Sequence, residues 1–182
     1  SHLTVDFETV LKFGVNSIKR KAEVSYENYK GTEKEAFAKS CLNCLEAFEI
    51  WHARYLKALE KLPEYKANYE NLRRVPFEPA TDFYEAVQSL WFTFAFIRLC
   101  GNWPGIGRID YLLGDYLKKD LEAGTLSLDE AREILAHFFI KGCEWVNGQF
   151  IGSGDAQHYQ NILLSGIDEN DHDVTNEVTY LV

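Results

Sequence analysis

Between Asp82 and Cys100 the chain reads DFYEAVQSLWFTFAFIRLC, a helical segment that is apolar on most of its circumference. Phe83, Val87, Leu90, Trp91, Phe94 and Ile97 cover more than the single stripe that a surface helix presents to a core. Thr81 or Asp82 supplies the N-cap. Such a helix has to be enclosed by other elements, and with 46% hydrophobic and 14% aromatic content the 182 residues can build the core to do so. The run from Ala86 to Cys100 is too short to cross a bilayer and carries Arg98 near its end.

The flanking segments read as the enclosing helices. Thr4 to Tyr29 puts Val5, Val10, Leu11, Val15, Ile18 and Ala22 on a loosely continuous face, with Gly14 as a weak point and Gly31 as the end. Thr32-Glu33-Lys34-Glu35 has the capping-box pattern, and Phe37, Cys41, Cys44, Phe48, Trp51, Tyr55, Leu59 and Leu62 follow at alternating spacings of three and four until Pro63. A short helix from Glu64 to Arg73 leads to Val75-Pro76-Phe77-Glu78-Pro79, an extended joint. Ile109 to Leu121 is helical and closed by Gly124. Ser127-Leu128-Asp129-Glu130 then caps a helix with Ala131, Ile134, Leu135, Phe138, Phe139, Trp145 and Val146 on one face. Gly148 to Gly154 reads as a flexible loop, Asn161 to Leu164 as a buried strand, Asp168 to Asp173 as a polar turn, and a last helix starts near Thr175 or Asn176. The expected fold is mainly α, with about six helices and one or two short strands. Apolar surface is expected to remain exposed, since Phe94, Phe138 and Leu163 cannot all be covered by helices of this length.

Between these helices lies CGNWPGIGRID, Cys100 to Asp110, whose glycines read as a sharp turn after a buried helix. A phosphate cradle needs a preceding strand and a fuller glycine pattern, so Gly105-x-Gly107 does not make one. Cys41-Leu42-Asn43-Cys44 has no second half for a zinc site, and both thiols read as core. Glu49-x-x-His52 lacks the repeat and the further glutamates of a di-iron bundle, and the acidic turn lacks the glycine of a calcium loop. His137 reads as structural. His158 stands between a glycine-rich loop and a strand, where polar groups face ligands or partners. A net charge of -9 without a dense basic patch excludes nucleic acid and anionic membrane surfaces as partners. Four cysteines, mostly within helical apolar patterns, fit a reducing, cytoplasmic compartment. The absence of methionine and the apolar end Thr179-Tyr180-Leu181-Val182 suggest an excerpt from a longer protein.

Taken in order, several segments resemble the glycyl radical enzymes of the pyruvate formate-lyase-like family. They are Ser1-His2-Leu3-Thr4-Val5-Asp6, Val75-Pro76 with Thr81-Asp82-Phe83-Tyr84-Glu85-Ala86-Val87-Gln88-Ser89-Leu90-Trp91-Phe92, and Gly107-Arg108-Ile109-Asp110-Tyr111-Leu112. Tyr116 to Gly124, Gln160-Asn161-Ile162, Gly166 and Asn176 to Leu181 continue the series. The resemblance makes residues 1–182 an internal portion of a ten-stranded α/β barrel domain, without the cysteine loop that forms a thiyl radical and without the C-terminal glycine that stores one. None of the four cysteines stands in the matching context.

What the resemblance implies is hydrogen-atom abstraction from a small polar substrate, followed by dehydration or by C–N or C–C cleavage. The protein glycyl radical of the full-length enzyme is installed by a radical S-adenosylmethionine activating enzyme, which is thereby an implied partner. A homodimer of the full-length protein is compatible with it. Carried across by position, His2, Asn102, Trp103, Ser153, His158 and Tyr159 bind substrate, and Arg108, Asp110 and Asn161 are structural, with no catalytic residue and no metal ligand in this stretch. Asn102-Trp103 departs from the His-Ser or acidic pair common in dehydratases, which sets the glycerol-type and proline-type substrates apart. The reading from another class is a freestanding helical scaffold or interaction module.

Overall fold

The computed structural model describes residues 2–99, 103–143 and 161–182. Its elements are β1 (His2–Thr4), α1 (Phe7–Tyr29), α2 (Glu35–Leu59), a 3-10 turn at Pro63–Tyr65, α3 (Lys66–Arg74), α4 (Phe83–Arg98), β2 (Trp103–Arg108), α5 (Ile109–Ala123), α6 (Leu128–Cys143), β3 (Asn161–Leu163) and α7 (Glu177–Leu181). The mainly helical reading holds. Trp145, Val146 and the Gly148 to Gly154 loop lie outside the described residues.

Helix α4 is the axis of the core. Phe83, Ala86, Leu90 and Phe94 on one side join Phe7, Leu11, Ile106, Ile109, Leu113, Leu117 and Leu135 in one apolar cluster. On its other side Phe92 joins Val10, Val15, Phe48 and Leu72, and Phe96 stacks on Phe48 with ring centroids 4.4 Å apart. α1, α3, α5, α6 and β2 all pack on it, and Phe94 and Phe138 are buried, which leaves Leu163 as the uncovered member of the three. Leu163 is 63% exposed, so the strand expected at Asn161 exists but is not a buried one.

The strands give the largest correction. All three are parallel, in the order β1-β2-β3, and the supposed turn at Trp103-Pro104-Gly105 is the middle strand. Its glycines serve close approach: a Cβ on Gly105 would lie 2.6 Å from the Thr4 hydroxyl oxygen, and Gly107 has φ +80° beside an irregularity in the β2–β3 register. Ile106 between them is sunk in the core. The first helix likewise begins at Phe7 rather than Thr4. Asp6 caps it, accepting from the Thr9 amide at 3.0 Å and the Thr9 hydroxyl at 2.7 Å, which frees His2–Thr4 to pair with β2.

Gly14 kinks α1, with φ +72° and ψ 160°. The break releases the amides of Val15 and Asn16, which donate to Pro76 O at 2.9 Å and Phe77 O at 3.1 Å, while Ala80 N donates to Leu11 O at 3.0 Å. The joint between α3 and α4 is thus stitched into the kink.

Caps at Asp82, Ser127, Gly124 and Asn176 form as their local chemistry predicts. The box at Thr32 does not. The Thr32 hydroxyl donates to Tyr29 O, Glu35 accepts from the Gly31 amide, and α2 starts after Lys34 without a side-chain cap. The buried seam of α2 is also displaced: Ala38, Phe48 and His52 face inward, whereas Phe37 is 75% exposed, Cys44 is exposed and Cys41 is only half-buried. Both thiols are therefore outside the core to which the sequence pattern assigned them.

His52 donates from Nε2 to Leu72 O at 2.7 Å and is held below its ordinary pKa of 6.5, because burial penalises the imidazolium. The unfolded chain therefore takes up a proton that the fold refuses, and stability present above pH 6.5 is lost as pH falls through the lower folded value. Glu85 adds a second acid step. Burial pushes its carboxyl up, but hydrogen bonds from Arg74 and Thr81 outweigh this and hold it below 4.5, so its contribution is lost as pH falls below that point. Unfolding free energy measured against pH should show both steps. His52→Gln should remove the upper one, and an unchanged profile would refute the assignment.

Candidate functional site

In a parallel ladder, residues paired across strands share a face. His2 pairs with Trp103, which brings together two sequence-predicted substrate positions that are 101 positions apart in the chain. The next row is Thr4, Gly105 and Asn161, paired strand to strand. A Cβ on Gly105 would meet the Thr4 hydroxyl and, at 3.6 Å, the Asn161 Cβ, so all three are on one side of the sheet, while Ile106 packs on the other. Thr4 and Asn161 are exposed. Asn102, Ser153, His158 and Tyr159, also named from the sequence, lie outside the described residues.

Behind the rows, the β2–α5 junction holds the segment that follows β3. The Arg108 guanidinium donates from Nη1 to Ile167 O at 2.6 Å and lies over the Tyr111 ring, 4.6 Å from its centroid. Asp110, in the first turn of α5, is fully buried. One carboxylate oxygen accepts from the Tyr111 amide at 2.8 Å, and the other accepts from the Ser165 amide at 2.6 Å and the Thr179 hydroxyl at 2.7 Å. Asn176 caps α7 and also donates to Asp110 O at 3.0 Å. Gly114 makes room for this, since a Cβ there would lie 2.5 Å from the Asn176 amide nitrogen.

The remaining polar candidates are occupied or dispersed. Lys19 donates to Glu49 at 2.6 Å, and His52 is turned to a backbone carbonyl. His137 and His172 are exposed beside Glu133 and Asp168. Among the described residues no three or more His, Cys, Asp or Glu side chains gather as a metal site would require. An open groove of about 510 Å³ between α1, α5 and the segment before α7 is lined by Glu8, Lys12, Tyr111, Asp115, Tyr116 and Thr175, among others, and by none of the substrate positions named from the sequence.

Sequence reasoning missed Thr4, Thr179 and Asn176 as parts of this arrangement. Asn176-x-x-Thr179 carries the spacing of a capping box and was findable. Thr4 was not, because only the register gives its place.

The sequence pattern of the family described as pyruvate formate lyase-like matches residues 1–182. The chain belongs to that family. Within the pyruvate formate lyase-like family, isethionate sulfite-lyase of Bilophila wadsworthia is 30% identical over 97% of this chain and 24% of its own length. The enzyme of that name from Desulfovibrio desulfuricans is 29% identical at the same coverage. The chain thus spans about a quarter of the length of these relatives. Among solved structures, the glycerol-bound, B12-independent glycerol dehydratase of Clostridium butyricum superposes with a TM-score of 0.83 at 25% identity, covering 100% of this chain and 25% of that one. A glycyl radical enzyme of Archaeoglobus fulgidus gives 0.81 at 26% identity, covering 100% and 26%. The chain is related to glycyl radical lyases and dehydratases.

Proposed function

We propose that this chain is a wall of the substrate chamber in a glycyl radical lyase or dehydratase, the face of β1, β2 and β3 opposite the helices being the face toward substrate. The observation that carries this reading is the pairing of His2 with Trp103 at the start of neighbouring parallel strands. Asn102, Ser153, His158 and Tyr159 extend the wall by their place in the sequence just ahead of β2 and β3. The family's glycyl radical supplies hydrogen-atom abstraction through a thiyl radical when the complete enzyme is activated. Cys41 and Cys44 sit on α2, which packs chiefly on α1 and α3, so they do not serve that step.

What this chain's own residues do is bind, orient and exclude water. Ile106 and the helices behind it keep the sheet rigid and dry on one side. Arg108 and Asp110 fix the segment that leaves β3, and Asn161 continues the row beside Gly105. The substrate is a small hydroxylated or anionic molecule, and isethionate is the first to test in view of the 29–30% identity to isethionate sulfite-lyases.

The test is steady-state turnover by the activated full-length protein on isethionate, glycerol, trans-4-hydroxy-L-proline and (2S)-3-sulfopropanediol. Trp103→Ser should change the ratio of kcat/KM between the best and the next substrate by roughly tenfold or more, as pocket reshaping does. His2→Ala should lower kcat/KM by roughly tenfold through loss of one polar contact to substrate. The 182-residue chain alone should turn over none of them. If both variants keep the wild-type constants across the panel, the strand ends are structural and the reading fails.

A further inference from the structure

Cys41 and Cys44 are placed in a way that the pattern of α2 did not foretell. They stand three positions apart in the regular body of a 25-residue helix, so they share a face with Cβ atoms about 5–6 Å apart. Both are free thiols, Cys44 is exposed, and Cys41 is half-buried beside it. That separation is set by helix backbone rather than by a loop. It lets two sulfurs close on one small ion between them.

The surroundings decide which ion. Structural zinc takes four ligands, and among the described residues no group of three or more His, Cys, Asp and Glu exists. Hard cations want oxygen ligands, which this face does not gather. Thiolate sulfur selects soft metals, copper(I) foremost among those that accept only two ligands.

We propose that Cys41 and Cys44 chelate one copper(I) ion. Each S–H gives its proton to solvent, two Cu–S bonds form, and the complex carries a single negative charge without any change of oxidation state. The site is independent of the substrate chamber and does not rest on the proposed function.

The test is anaerobic transfer of copper(I) from its bicinchoninate complex to the full-length protein, read from the loss of the chelator's colour. Wild type should take up one copper(I) per chain more than Cys41→Ser/Cys44→Ser. Each single variant should bind that ion about 100-fold more weakly or worse, because the second thiolate no longer acts at high effective concentration. A Cys100→Ser/Cys143→Ser variant should keep the full uptake, and circular dichroism should show that all variants remain as helical as wild type. Equal uptake by wild type and the Cys41/Cys44 double variant would overturn the proposal. So would a single variant with wild-type affinity, or loss of the ion on removing Cys100 and Cys143.

Discussion

Replacing Gly14 by alanine is expected to cost the fold about 3–5 kcal/mol, the sum of a disallowed backbone conformation and an overpacked contact. At φ +72° and ψ 160° the residue occupies a region that is essentially closed to side chains. A Cβ there would also run into the Phe77 carbonyl oxygen, and would stand 2.7 Å from its carbon and 2.8 Å from the Glu78 carbonyl carbon. These are backbone atoms and cannot swing away. Straightening α1 would relieve the strain only by withdrawing the Val15 and Asn16 amides from Pro76 and Phe77, which unhooks the entry to α4. Against a typical total of about 5–15 kcal/mol the loss would be evident in urea unfolding. A change below about 1 kcal/mol would show that the kink is dispensable.

The second large effect is expected at Asp110. Its carboxylate is fully buried, and the Asp110→Ala variant would leave the Ser165 amide, the Thr179 hydroxyl and the Tyr111 amide without their acceptor. Hydrogen bonds to a charged group contribute about 1.5–3 kcal/mol each but are not additive within one network, so about 3–4 kcal/mol is expected overall. Asp110→Asn keeps one acceptor oxygen and should lose less. Hydrogen exchange provides a local readout: the Ser165 amide should lose protection in the alanine variant before the amides of α4 do. If protection at Ser165 is unchanged, the clamp does not hold the end of β3.

Elements whose boundaries are set by local chemistry were legible in the sequence. Asp82 ahead of Phe83, the Ser127–Glu130 exchange, Gly124 in the left-handed conformation and Asn176 before the last helix all form as residues within one turn of each other dictate. What resisted reading depends on partners far along the chain. Trp103-Pro104-Gly105-Ile106-Gly107 has the composition of a turn, and it is a strand because Thr4 and Asn161 lie alongside its glycines. The α2 seam was misplaced because α2 meets α1 and α3 along Ala38, Phe48 and His52, and aromatic residues such as Phe37, one position away, are left outside. The proposed substrate positions could be named by resemblance. That His2 and Trp103 stand side by side follows only from the register.

The sheet is assembled from strands that begin at positions 2, 103 and 161. At the usual synthesis rate of about 5–20 residues per second, roughly 5–20 s separate the emergence of β1 from that of its first partner. During that interval α1, α2 and α3 can pair with one another through nearest-neighbour hairpins, while the β1–β2 ladder waits for Trp103–Gly105. The helical half of the chain is therefore expected to be a preformed platform on the ribosome, and the sheet a late event that closes only when the segment after β3 reaches Asp110. Slowing translation would lengthen the life of a helical intermediate in which β1 and β2 are not yet paired, a species open to capture by a chaperone that binds extended segments.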